Sequence, residues 1–364
     1  MFNLAKFSGR SFDWLLFSAV FFLIAFGLMA IYSVDLSRGS ELIYFKKQVI
    51  ALAIGLGILF AGSLTQYTFF RTYARWFYYA SLFALLAVLI LGHNIRGTTG
   101  WFSFGGFSFQ PVELAKVGVI LMLAYTISNF GRQFEKPKFF FWTLFLTLLP
   151  IFLIMIQPDL GSAVLVGTIW FSLMLLTGAK KSLIFGFIML FVTGAIFSWF
   201  FLLQDYQKDR LMTFIDPSHD PLGSGYNVMQ ATIAVGSGNI FGRGLGFGSQ
   251  SQLRFLPETQ TDFIFSVIAE EMGFLGVGVI LILFLIVFWR LLSLASKTSN
   301  DFIALTVSGT AALFFTQFFI NIGANIGILP VTGVTLPFVS YGGSSLIMNL
   351  LLIGIVQSMV EKKY

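Results

Sequence analysis

The residue best placed for proton transfer is Asp262. It stands in Thr261-Asp262-Phe263-Ile264-Phe265, where a polar stretch gives way to a long apolar run. A carboxylate at such a boundary is partly desolvated, a setting that suits a general base near neutral pH. Asp is also a favoured helix N-cap, and from position alone capping is the commoner use; the two roles are compatible, because a capping carboxylate can keep one oxygen for other work. Glu270 and Glu271 follow, about 12–13 Å deeper if the run is helical. Glu270 lies about two turns from Asp262 and shares its face. Acids at that depth are costly and face a cavity or a partner, and a buried structural network is the plainer expectation for both.

Several further residues could bind a polar substrate. Glu113 and Lys116 are spaced i, i+3 in an apolar run, close enough to pair on a helix. A lone Lys at the centre of a membrane span costs about 2.5–3.5 kcal/mol, which a carboxylate or an anionic ligand would offset. A closed structural pair and a ligand site are both open readings. Trp101, in Gly100-Trp101-Phe102, is either an interface anchor or a stacking platform for a sugar ring. Asp159, in Gln157-Pro158-Asp159-Leu160-Gly161-Ser162, has the surroundings of a tight turn. Arg210, with Arg243 and Arg254, could hold phosphate oxygens, since a guanidinium fork matches them; Lys208 reads as solvated.

Other patterns carry less. The glycine-rich stretch 236–248 lacks a βαβ setting and a Gly-Lys-Ser/Thr, so it is neither a dinucleotide site nor a P-loop. Leu329-Pro330-Val331-Thr332-Gly333 resembles a sortase signal but sits between two apolar runs. Gly323 and Gly327 have the small-xxx-small spacing of close helix packing. His93 and His219 are isolated, and no metal-ligand spacing occurs. The chain has no cysteine, which excludes disulfides and thiol chemistry.

The elements that must position these residues are membrane spans. The 364 residues are 57% hydrophobic and 10% charged, against about 25% charged in an average soluble domain, and the mean hydropathy is +0.87. Such a chain has too little polar surface for water. Ten apolar runs are long enough to cross a bilayer, at 14–33, 47–64, 74–92, 113–129, 139–157, 162–178, 183–203, 263–289, 302–328 and 342–360. The expected fold is an all-α polytopic membrane protein with about ten transmembrane helices, in a single membrane domain over 1–364. With the N-terminus inside, Lys6, Arg10, Arg71, Arg75, Arg132, Lys136, Lys138, Lys180, Lys181, Arg290, Lys297, Lys362 and Lys363 fall on the inner face. The short outer loops keep only Arg38, Lys46, Lys47 and Arg96. This is the positive-inside bias, so the net charge of +6 is topological and not a nucleic-acid footprint. Residues 204–262 form one large extracytoplasmic loop between helices seven and eight, too long to be a mere connection.

Several outer-face strings resemble the SEDS family (shape, elongation, division and sporulation). They are GFSFQPVELAK at 106–116, QPDLGS at 157–162, YQKDRLMTFIDPSHDPLGSGYNVMQATIAVGSG at 206–238, FLPETQTDFIF at 255–265 and NIGANIGILPVTGVTLPFVSYGGSS at 321–345. YQKDRLMTF and LPVTG favour the elongation branch over the division branch. The resemblance implies ten spans in the bacterial inner membrane, both termini cytoplasmic, and an active site on the outer face. It implies a peptidoglycan glycosyltransferase that polymerises lipid II and releases undecaprenyl pyrophosphate, working with a class B penicillin-binding protein transpeptidase. By the same resemblance Asp262 is the essential acid, Trp101 is functionally important, and Glu113, Lys116 and Asp159 are sensitive positions. Two departures touch neighbours of these residues: Gln260 stands where the family commonly has His, and Gly100 where it has a basic residue. The expected mechanism is an inverting transfer with Asp262 as base, Trp101 stacked on a sugar, and Arg210 and Lys116 facing the pyrophosphate. No cofactor is expected beyond a divalent cation, Mg or Mn, accompanying that group. The partners are lipid II, the lipid-linked glycan, the transpeptidase and membrane lipids. A lipid II flippase and a non-enzymatic scaffold are the rival readings.

Overall fold

The computed structural model describes residues 12–37, 39, 41–95, 98–104, 107–130, 134, 136–201, 208, 212, 214, 216, 223–253 and 255–360. Each apolar run holds a helix among its described residues. The first seven are α1 (Trp14–Ser37), α2 (Ile43–Leu64), α3 (Tyr67–Leu91), α4 (Pro111–Asn129), α5 (Pro137–Ile156), α6 (Leu160–Thr177) and α7 (Lys181–Phe201). The long loop includes the helices α8 (Ser224–Ser237) and the one-turn α9 (Ser249–Gln252). Then come α10 (Ile264–Lys297), α11 (Asp301–Asn325) and α12 (Gly343–Gln357). Among the described residues nine helices are long and apolar enough to cross a membrane. The tenth, α12, has 15 residues and covers about 22 Å, less than a ~30 Å hydrocarbon core. Ser340 before it, and Ser358 and Met359 after it, are also buried.

Helix ends overrun the sequence limits where charged side chains can reach outward. Lys46 and Lys47 fall in the first turns of α2, and Arg71 and Arg75 in those of α3, instead of in loops. Their long stems let the charged ends leave the apolar layer. Bulky side chains such as Phe83, Ile90, Phe152, Leu190 and Leu285 are exposed, a surface that suits acyl chains and not water. Helix α4 is apolar on all sides and is buried along most of its length, with α3, α5, α6, α11 and α12 around it. The connection from α3 to α4 is a three-stranded antiparallel sheet, β1 (His93–Ile95), β2 (Thr98–Phe104) and β3 (Phe107–Phe109), in the order β1-β2-β3. Thr and aromatic residues in β2 suit a pleated strand.

Helix α10 is broken at Gly273, whose φ of 65° and ψ of −165° are open only to glycine. The loop after α8 repairs the broken ladder. Arg243 and Gly244 amides donate to the Glu270 and Glu271 carbonyls at 3.0 and 2.9 Å, and Phe274 and Leu275 amides donate to Asn239 and Ile240 at 2.9 and 3.1 Å. The Gly323–Gly327 pair does not pack two helices. Gly323 faces Leu329 of its own following turn, and Gly327, at φ 75°, lies beyond the end of α11.

A polar clasp closes the other end of the bundle. Arg290 on α10 donates from Nε and Nη2 to Asp13 Oδ2 at 2.8 and 2.6 Å. The Asp13 backbone and the Gln357 side chain exchange two more bonds, at 2.8 and 3.0 Å. Arg290→Met strips the buried Asp13 carboxylate of its cation, and thermal unfolding in detergent is expected to show a loss of about 1.5–3 kcal/mol.

Candidate active site

Asp262 is half-buried in a turn that precedes α10. It is not the cap of that helix. The N-cap position is Phe263, whose side chain makes no capping bond. The acceptor comes from another helix: Asn325 Oδ1, at the end of α11, receives the Ser266 amide at 3.1 Å and the Ser266 hydroxyl at 2.6 Å. The Asp262 carbonyl accepts from Asn321 Nδ2 at 3.0 Å and from Asn325 Nδ2 at 2.8 Å. On the other side, Ser340 Oγ donates to the Thr261 carbonyl at 2.7 Å and the Tyr341 amide to the Gln260 carbonyl at 2.8 Å. The turn is thus held through its main chain from two directions.

A small cleft opens beside Asp262. Its walls are Ile320, Asn321 and Ala324 of α11 and the segment 331–334. Thr332 Oγ1 is buried there with no hydrogen-bond partner among the described residues. The Leu-Pro-Val-Thr-Gly string, set aside in the sequence as a chance sortase match, therefore supplies a cleft wall. Only the string's presence among the family-like segments hinted at this.

Asp159 caps α6. Its Oδ1 accepts the Ser162 amide at 2.9 Å and its Oδ2 the Ser162 hydroxyl at 2.7 Å, and Gln110 Nε2 reaches Oδ2 at 3.3 Å. The first turn of α6 lies against the cleft wall: a Cβ on Gly161 would sit 2.7 Å from the Thr332 carbonyl, so only glycine fits. Gln110 precedes α4, and its amide donates to Ser344 Oγ at 3.2 Å, which itself donates to the Ser108 carbonyl at 2.8 Å. Trp101 is half-buried in β2, paired with His93. The residue before it, Gly100, lies over the α5–α6 turn, where a Cβ would be 3.0 Å from Gln157 Oε1. That oxygen is buried and has no hydrogen-bond partner among the described residues. Bonds and close approaches thus run from the sheet through the starts of α4, α6 and α12 to the wall of the Asp262 cleft.

Glu113 and Lys116 form a closed ion pair on α4, with Nζ 2.7 Å from Oε2 and side chains 8% and 2% exposed. Glu270 and Glu271 are held by other contacts. Glu270 accepts the Gln250 and Ser251 amides at 2.8 and 3.1 Å, anchoring α9. Glu271 accepts the Ser33 hydroxyl at 2.6 Å and Gln252 Nε2 at 3.0 Å. Both belong to a structural network, as their depth suggested. Arg243 Nη1 donates to Ser249 Oγ at 2.9 Å in the same network. Arg210, Arg254 and His219 lie outside the described residues. Among the described residues no three His, Asp or Glu side chains gather to hold a metal ion.

Residues 13–364 match the family described as cell cycle protein FtsW/RodA/SpoVE. The chain belongs to this FtsW/RodA/SpoVE family. It is 37% identical over 338 residues to the peptidoglycan glycosyltransferase MrdB of Escherichia coli K12, covering 92% of this chain and 90% of that protein. It resembles the rod shape determining protein RodA of Thermus thermophilus, with a TM-score of 0.72, 30% identity, and 96% of each chain covered. It also resembles a chain of a peptidoglycan synthase complex in a structure concerned with the coordination of polymerization and crosslinking. There the TM-score is 0.82 at 32% identity, covering 95% of this chain and 97% of that one. As a member of the FtsW/RodA/SpoVE family the chain is a multi-pass membrane protein.

Proposed function

We propose that this chain is a peptidoglycan glycosyltransferase that polymerises lipid II for cell elongation, with Asp262 as its general base. The observation that carries the reading is the place of Asp262 on the wall of a cleft, its main chain fixed by four bonds from Asn321, Asn325, Ser340 and Tyr341 to residues 260–262. Asp262 takes the proton of the acceptor sugar's 4-hydroxyl as that oxygen bonds to the anomeric carbon. The carbon–oxygen bond to pyrophosphate breaks, the configuration inverts, and undecaprenyl pyrophosphate leaves. Such base assistance is worth about 10²–10⁴-fold. Trp101, at the sheet, offers a face to a sugar, and Asp159 holds the start of α6 beside the cleft.

The leaving pyrophosphate calls for positive charge. Lys116 could serve only if its pair with Glu113 opened, so Arg210 is the better candidate, with a divalent cation, Mg or Mn, arriving on the substrate. The Lys and Arg bias supports cytoplasmic termini and a cleft on the outer face. Lipid tails would lie along the exposed apolar faces of the helices, and the partner is a class B penicillin-binding protein transpeptidase. Among the described residues, the break in α10 is the feature that speaks for a flippase, since transporters bind cargo at broken helices. Here residues 239–244 fill the break, bonding the Glu270 and Glu271 carbonyls and the Phe274 and Leu275 amides.

The test is purified protein with its transpeptidase partner and labelled lipid II, in detergent and in vesicles. Long glycan is the expected product. Lipid translocation without glycan would establish the flippase instead.

A further inference from the structure

Asn325 has features that a mere helix end does not require. It lies at the end of an apolar span and is fully buried, where an unmet amide would cost several kcal/mol; no such cost arises, because both ends of the side chain are bonded. Its Oδ1 accepts both Ser266 bonds, and its Nδ2 donates to the Asp262 carbonyl and, at 2.8 Å, to the Asn321 carbonyl. The amide cannot be flipped, since that would set an N–H group against the Ser266 amide. One side chain thus grips the residue that lines the cleft and the third residue of the helix that follows it. It supplies the acceptor that the apolar side chain of Phe263 cannot. Asn321, one turn earlier, repeats the grip on the Asp262 carbonyl and extends it to the Val334 carbonyl at 2.9 Å. The base and the opposite wall of the cleft, at Val334, therefore hang from the same pair of asparagines.

We infer that Asn325 is a positioning residue for glycosyl transfer: it caps α10 from α11 and so sets where the Asp262 carboxylate stands relative to the cleft wall. The inference rests on the reading of Asp262 as base. It acts through the main chain of Asp262, not through the sugar. A displacement of about 1 Å in a reacting group costs about 10²-fold in rate, so a lost grip should appear in turnover and not in substrate affinity.

The experiment measures lipid II polymerisation by the full-length protein in complex with its transpeptidase partner, below the unfolding temperature of every variant. Asn325→Asp keeps the acceptor for Ser266 and removes the donors; Asn325→Ala removes both. Each is expected to lower kcat by about 10- to 100-fold. KM for lipid II should stay within about twofold, the pattern of an interaction needed only in the transition state. The acid limb of the kcat–pH profile should move, because the surroundings of the base have changed. Ser266→Ala, which deletes only the 2.6 Å hydroxyl bond, should show the same pattern to a smaller degree.

A kcat that falls in proportion to the folded fraction, with an unmoved pH profile, would overturn the proposal; so would a raised KM at unchanged kcat. If both Asn325 variants fail to fold, Ser266→Ala decides, and a wild-type pH profile there counts against it. Wild-type turnover in Asp262→Asn would remove the base itself, a failure distinct from that of Asn325.

Discussion

Asp262→Asn is expected to stop glycan synthesis while leaving the protein folded and bound to its partner. The asparagine side chain has the size and shape of the carboxylate but cannot take a proton, so the loss should be about 10²–10⁴-fold in kcat. Folding should survive because the bonds from Asn321 and Asn325 reach the main-chain carbonyl of residue 262, which the substitution keeps. Capping is not lost either, since Asn325 and not Asp262 accepts the Ser266 amide. Asp262→Glu separates charge from position. It restores a carboxylate but carries it one methylene further into a small cleft, and a large part of the rate, about 10²-fold, should stay missing. The measurement is glycan length and rate from labelled lipid II, beside thermal unfolding of each variant. Undiminished glycan from Asp262→Asn would put the base elsewhere.

The spans were legible in the sequence because lipid imposes one simple requirement, about 20 apolar residues per crossing, and the chain meets it run after run. The place of Asp262 was legible for the same reason, as a carboxylate at the edge of such a run. Asp159 was read as a turn residue and is a helix cap, which draws on the same local chemistry. The capping role weighed for Asp262 was overturned by Asn325, 63 residues away in sequence. No local pattern can announce a cap supplied from another helix. The break at Gly273 was hidden for a similar reason. A glycine inside an apolar run is tolerated in any helix, and only the arrival of residues 239–244 makes the break stable. The Leu-Pro-Val-Thr-Gly segment became a cleft wall through tertiary packing alone, and the short sheet around Trp101 was masked by its place in a loop. The depth of Glu270 and Glu271 predicted a buried network, but not that the long loop would be its partner.

The second large effect concerns Lys116, and it separates a structural pair from a substrate contact. Lys116→Met leaves the Glu113 carboxylate buried on α4 without its cation, and breaking a buried pair from one side costs about 3–5 kcal/mol. Thermal unfolding in detergent should fall accordingly, and polymerisation with it. The double variant Glu113→Gln/Lys116→Met removes both charges and keeps the side-chain volumes. Replacing a buried ion pair by neutral groups of similar size is often neutral or stabilising, so the unfolding temperature should return to the wild-type range. The 2.7 Å contact and the burial of the ammonium make the pair a closed one, and polymerisation should therefore return with stability, to within about threefold. A double variant that is stable but inactive would mean the opposite. The ammonium would then leave Glu113 during the reaction to meet the pyrophosphate, and α4 would carry a charge that the substrate, and not the fold, requires.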